Sequence, residues 1–161
     1  MKTVFGSLAL IPLLLAGCAT PPGAQAPAQP VAEEMPPHNA LNERISYYAR
    51  VYDVPESLVH RSVLRESGYN PTARMGPYWG LMQLRLDTAR GMGYRGPARG
   101  LLDADTNLKY AVAYLSNAYV VAGGNPDRAL TLYASGYFYE ARRKGLLDRL
   151  RTAQADEPPA N

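Results

Sequence analysis

The residue in this chain with the clearest chemical potential is Glu66. It lies three residues after Val63, four after Ser62 and seven after Val59. On a helix that spacing puts its carboxyl on the apolar face. A glutamate is almost never fully buried without a reason. An apolar pocket disfavours the charged form, so a carboxyl held there keeps its proton to higher pH and can donate it near neutrality. The alternative on spacing alone is an ion pair with a neighbouring arginine, Arg65 or Arg61, at the helix end.

Helical periodicity surrounds this residue. Leu41, Ile45, Tyr48, Ala49 and Tyr52 recur at helical spacing, which predicts a helix over 41–52. Pro55 suits a first helical turn, and Leu58, Val59, Ser62, Val63 and Glu66 continue from it along one stripe. Asn70-Pro71 then breaks the chain. A third helix is expected over 81–92 and a loop over 93–100. A long fourth helix is expected over 103–121, with Asp103 as its cap and Gly123-Gly124 as its stop. Asn125-Pro126-Asp127 opens a fifth helix, and a sixth runs to about Arg151. Alternating strand patterns are nearly absent and no internal repeat is visible. The expected fold is mainly α, a single helical domain with at most a small β element.

Composition narrows the chemistry further. The chain has 161 residues, 47% hydrophobic and 19% charged, with a net charge of +3. That is enough for one packed domain. A single cysteine forms no internal disulfide and is too little for a structural zinc site. His38 and His60 are far apart in the chain, so no metal or other cofactor is expected. No glycine-rich phosphate loop is present. The basic residues are scattered, which argues against nucleic acid as a partner. Tyrosine is abundant, 12 against 2 phenylalanines. Each tyrosine offers an apolar face and a polar tip together.

The first 40 residues read as something other than fold. Lys2 precedes an apolar stretch over 4–15, too short to span a bilayer. Leu15-Ala16-Gly17-Cys18 resembles a bacterial lipobox. That resemblance implies a signal peptide over 1–17, cleavage before Cys18 and lipidation of that cysteine. With Ala19 next, it also implies sorting to the outer membrane of a Gram-negative cell, facing the periplasm. An ordinary signal peptide cleaved near Ala19 is the alternative. Residues 18–40 are rich in Pro and Ala and read as a semi-extended tether. The folded domain is expected over 41–154, with a disordered tail over 155–161.

Several blocks follow Glu66 in order. Glu66-Ser67-Gly68-Tyr69-Asn70-Pro71 is followed by Gly80-Leu81-Met82-Gln83. Asp103-Ala104-Asp105-Thr106-Asn107-Leu108 and Ala113-Tyr114-Leu115 come next, then Tyr133-Ala134-Ser135-Gly136. These blocks resemble the soluble lytic transglycosylase (SLT) catalytic domain, of goose-type-lysozyme-like fold. The resemblance covers about residues 41–145. It implies cleavage of the β-1,4 bond between N-acetylmuramic acid and N-acetylglucosamine in peptidoglycan strands, with a 1,6-anhydromuramoyl product. It gives Glu66 the role of lone acid and base. Gln83 then lines the cleft and binds substrate. Ser67 orients either the N-acetyl group or the acid, or else makes a local backbone bond. Tyr133 points its hydroxyl toward Glu66.

Two departures from the family pattern stand out. The segment 74–79 carries Tyr78 and the only tryptophan, Trp79, in place of the family's commonest Ser and Gly-Ala. Both aromatics are candidates to stack on sugar, with Trp79 alternatively filling the core. The usual asparagine of the last block is Ala134, and Tyr137-Phe138-Tyr139 follows, with Tyr137 as a candidate to rebuild that wall. Asp87, Asp103 and Asp105 are the candidates for a second carboxylate in space. A hydrolytic muramidase and a non-catalytic wall-binding lipoprotein remain the rival readings. Between residues 41 and 154 there are 16 Lys and Arg against 10 Asp and Glu, a balance suited to an anionic polymer.

Overall fold

A computed structural model describes residues 37–153. The lipobox cysteine Cys18, the signal segment, nearly all of the tether and the tail lie outside the described residues. Helix α1 spans Pro37–Val51 and starts four residues before the expected helix. Its buried stripe is the expected one, with Ile45, Tyr48 and Ala49 in the core and Tyr52 just beyond. Pro55 precedes α2 (Glu56–Ser67), which buries Leu58, Val59, Ser62 and Val63. Gly68 ends α2 in the left-handed region at φ 60°, donating its N–H to Leu64 O.

A small antiparallel sheet follows: β1 (Arg74–Met75), β2 (Tyr78–Trp79) and β3 (Leu84–Arg85), in that order. Arg74 pairs with Trp79 and Tyr78 with Arg85. The expected helix over 81–92 is replaced in its first half by a turn and β3. Helix α3 is only Leu86–Gly91. Two positive φ values explain the break, 72° at Gly80 and 45° at Gln83. A Cβ on Gly80 would lie 2.2 Å from Leu101 O and 2.4 Å from Asn107 Nδ2, so only glycine fits.

A 3-10 turn over Ala98–Leu102 leads into α4 (Ala104–Val121). Asp103 caps α4 by accepting from Thr106 N, as expected. Helix α4 is buried on most sides, with Leu108, Ala111, Val112, Leu115 and Ala118 fully enclosed. It packs against α1, α5 and the 3-10 turn. Each such leucine or valine contributes about 1.5–3 kcal/mol on burial. Helix α5 (Pro126–Ser135) starts at Asn125, whose side chain accepts from Arg128 N. The expected long sixth helix is shorter, α6 over Phe138–Arg143 and then a 3-10 turn over Leu147–Arg149. The following strand-like segment is held by Asn117, which accepts from Arg151 N at 3.1 Å and donates to Arg151 O at 2.9 Å.

Candidate active site

A groove of about 480 Å³ opens between the end of α2, the small sheet and the end of α5. Glu66 stands in its wall because α2 ends one residue later, at Ser67. The side chain of Glu66 is 22% exposed, so the fully apolar pocket expected for it is not what forms. Its Oε1 accepts from Arg65 Nε at 3.0 Å and from an Arg65 terminal nitrogen at 2.5 Å. Both bonds fall on one oxygen, which leaves Oε2 clear of that pair. Glu66 thus has both features weighed from sequence, the arginine partner and the place at a cleft. The Ser67 hydroxyl donates to Val63 O at 3.3 Å, one turn back, which is the local backbone bond weighed for it.

The turn after Glu66 is held locally. Asn70 Oδ1 accepts from Thr72 N and Oγ1, and the Tyr69 hydroxyl lies 2.9 Å from His60 Nδ1. These residues shape the backbone that brings β1 beside the acid.

Another part of the groove wall is Gln83, at the end of the segment 80–83, which is clamped from two helices. Asn107, fully buried on α4, accepts from Met82 N at 3.0 Å and donates to Trp79 O at 2.8 Å and Leu101 O at 2.9 Å. Tyr133, on α5, donates its hydroxyl to Met82 O at 2.8 Å. The hydroxyl expected to point toward Glu66 thus gives its proton to Met82 O, with Glu66 in the same groove. Burial, and then the nearby Glu66 charge, pushes the Tyr133 phenol well above its ordinary value, so it stays a neutral donor. Gln83 lines the groove as expected. Its amide nitrogen donates to Gly80 O at 2.9 Å and Ala73 O at 3.2 Å. Its Oε1 is buried without a partner among the described residues.

The aromatic candidates divide by strand face and helix phase. Tyr78 lines the groove at 40% exposure, with Arg85 5.9 Å from its ring. Trp79, its neighbour on β2, points the other way. It packs on the core under the Arg74 guanidinium, 4.2 Å from the ring, so it is not a groove residue. Tyr137 is also not one. It is buried and accepts from Asn117 Nδ2 at 3.0 Å. The groove residue that sequence reasoning left unassigned is Tyr114, in edge contact with Tyr133 at 5.4 Å. Met75 and Thr88 also line the groove, and Ala134 and Gly136 form the α5 rim. Asn107 was likewise unassigned. Its signal in the sequence was its place in the block 103–108, at the start of the helix that carries much of the core.

None of the three candidate second carboxylates lines the groove. Asp103 caps α4, Asp105 pairs with Arg44, and Asp87 is held by Arg85 through both oxygens. The same Arg85 pair, with the Thr88 N–H, keeps the Asp87 carboxyl below its ordinary range.

This fold and groove agree with what the sequence matches. A model of the transglycosylase SLT domain covers residues 43–152. The chain belongs to that family, and its mainly helical domain with a three-stranded sheet fits the lysozyme-like fold expected of it. It is similar to the soluble lytic murein transglycosylase of Salmonella typhimurium, 31% identical over 106 residues. That match covers 60% of this chain and 16% of the relative, so the chain spans only a small part of that protein's length. No solved structure matches the chain.

Proposed function

We propose that this protein is a peptidoglycan lytic transglycosylase that cleaves between N-acetylmuramic acid and N-acetylglucosamine. The observation that carries the reading is the groove itself, in which Glu66 is the lining carboxyl, with Gln83, Tyr78 and Tyr114 in the same wall. A two-carboxylate glycosidase needs a nucleophile or base across the sugar. Here the lining residues supply one acid and a wall of amide, phenol and aliphatic groups.

In the first step Glu66 donates a proton from Oε2 to the bridging oxygen. The bond from the muramic C1 to that oxygen breaks, and the substrate's own acetamido oxygen closes on C1. Glu66, now a carboxylate, takes the proton of the C6 hydroxyl. O6 attacks C1, the acetamido group leaves, and a 1,6-anhydro ring forms. Glu66 regains its proton and no water is consumed. Holding the C6 hydroxyl in place replaces a bimolecular step, an effect worth several kcal/mol. Tyr78 and Tyr114 offer ring faces to the sugars.

Digesting purified sacculi and weighing the released fragments tests this. Anhydro-ended fragments are expected. Reducing-end fragments would assign a hydrolase, and no fragments a binding protein. The same proposal places the chain at the outer membrane, periplasm-facing, through lipid on Cys18. No helix among the described residues is long and apolar enough to cross a membrane. Replacing Cys18→Ala is expected to move the protein from the membrane fraction to the soluble one.

A further inference from the structure

We infer that the outer face of α6 is a second peptidoglycan-binding surface, which takes the anionic stem peptides and the sugars next to the groove. This rests on the reading of the groove as a peptidoglycan site.

Helix α6 is fixed on its inner side. Tyr137 and Ala141 are buried, one turn apart. Glu140 pairs with Arg128 of α5 and, at 2.9 Å, with Lys144. Lys144 also donates to Val121 O at 2.8 Å. The two cations hold the Glu140 carboxyl below its ordinary range, so this side carries matched charge.

The outer side is different. With 3.6 residues per turn, Phe138, Tyr139, Arg142 and Arg143 fall together opposite Tyr137 and Ala141. Phe138 is 55% and Tyr139 83% exposed. Their rings meet edge to face at 5.6 Å, so they present one joined aromatic surface. Arg142 and Arg143 are exposed, and neither forms an ion pair among the described residues. Two guanidinium groups without an ion-pair partner among the described residues thus stand beside two exposed rings. Guanidinium forks bind carboxylates through two parallel hydrogen bonds. Aromatic faces cover the C–H faces of sugars. Peptidoglycan carries both groups close together, as stem carboxylates beside pyranose rings.

The surface begins close to the groove along the chain. Gly136 lines the groove, and Phe138 is two residues on. At about 3.8 Å between successive Cα atoms, the two Cα positions are at most about 7.6 Å apart. The basic balance of the domain acts in the same direction.

The test uses the full chain carrying Glu66→Gln, so that bound polymer is not cut, pelleted with purified sacculi. Adding Phe138→Ser, Tyr139→Ser, Arg142→Gln and Arg143→Gln together is expected to weaken pelleting about tenfold, a few-fold for each pair. The arginine pair alone is expected to lose its effect on glycan strands stripped of stems, while the aromatic pair keeps its own. With Glu66 intact, turnover of a short stem-free oligosaccharide is expected to be unchanged in all these variants. Equal pelleting of parent and fourfold variant overturns the inference. So does unchanged sacculus binding with lost binding to anionic phosphatidylglycerol vesicles, which would make the face a membrane contact. A parent chain that does not pellet at all overturns the transglycosylase reading itself, and this inference with it.

Discussion

The two sides of the groove are built on opposite terms. The segment 80–83 is held by buried groups from two distant helices, Asn107 and Tyr133, and by a glycine with no room for a Cβ. Glu66 is held by one neighbour in its own helix, Arg65, in a pair whose side chains are 42% and 22% exposed. A pair that open contributes under about 1 kcal/mol. The difference is instructive. The binding side must keep its backbone still, because an amide misplaced by a fraction of an ångström loses its bond. The acid must exchange protons and change partners during the reaction, which a fully enclosed carboxyl does poorly.

Variants of the two sides should therefore separate activity from stability. Glu66→Gln should lower the rate of sacculus digestion by about 10²–10⁴-fold, the range for loss of a general acid. Its unfolding free energy should stay within about 0.5 kcal/mol of the parent. If the rate survives, Glu66 is not the acid. Asn107→Ala should do the reverse. It strands Met82 N–H, Trp79 C=O and Leu101 C=O in the core, costing about 3 kcal/mol by urea unfolding. Its effect on rate follows from a loosened 80–83 segment. A small stability loss would mean that the clamp is not what holds that side.

Arg65→Gln should change stability by less than about 1 kcal/mol and leave digestion within tenfold of the parent. A fall as deep as that of Glu66→Gln would show that the acid depends on its partner, and the contrast between the two sides would break. The smallest effect concerns the cap that starts the helix carrying Asn107. The Thr106 N–H holds the Asp103 carboxyl below its ordinary value of 3.8. A carboxyl lowered in the folded state stabilises above its unfolded value and loses that contribution as pH falls through the folded one. Unfolding free energy should thus drop below about pH 4, by up to about 1 kcal/mol from this cap. Asp103→Ala should be less stable at neutrality and flatter in acid, read by thermal melts across pH.

Much of the scaffold was legible. The stripe through Ile45, Tyr48 and Tyr52, the Asp103 cap and the Asn125-Pro126 start all depend on neighbours within one turn, so local spacing reveals them. The stretch 81–92 misled because its apolar residues fit a helix. Its first peptide groups instead bond to Asn107 and Tyr133, 25 and 51 residues from Met82. The aromatics misled for a related reason. Trp79 and Tyr137 have the same chemistry as residues that reach sugar. Strand alternation and the Asn117 bond turn them inward.

The sequence by itself determined the helical class and the family blocks, and it singled out Glu66. These rest on side-chain type and on periods of a few residues, which the chain carries locally. Only the tertiary structure decided what shares the groove with Glu66: Gln83, Tyr114 and Tyr78 in the wall, and Tyr137 withdrawn into the core. The physical reason is the reach of the deciding bonds. Each buried polar group takes the partner that packing brings to it, and those partners lie tens of residues away, beyond any local pattern.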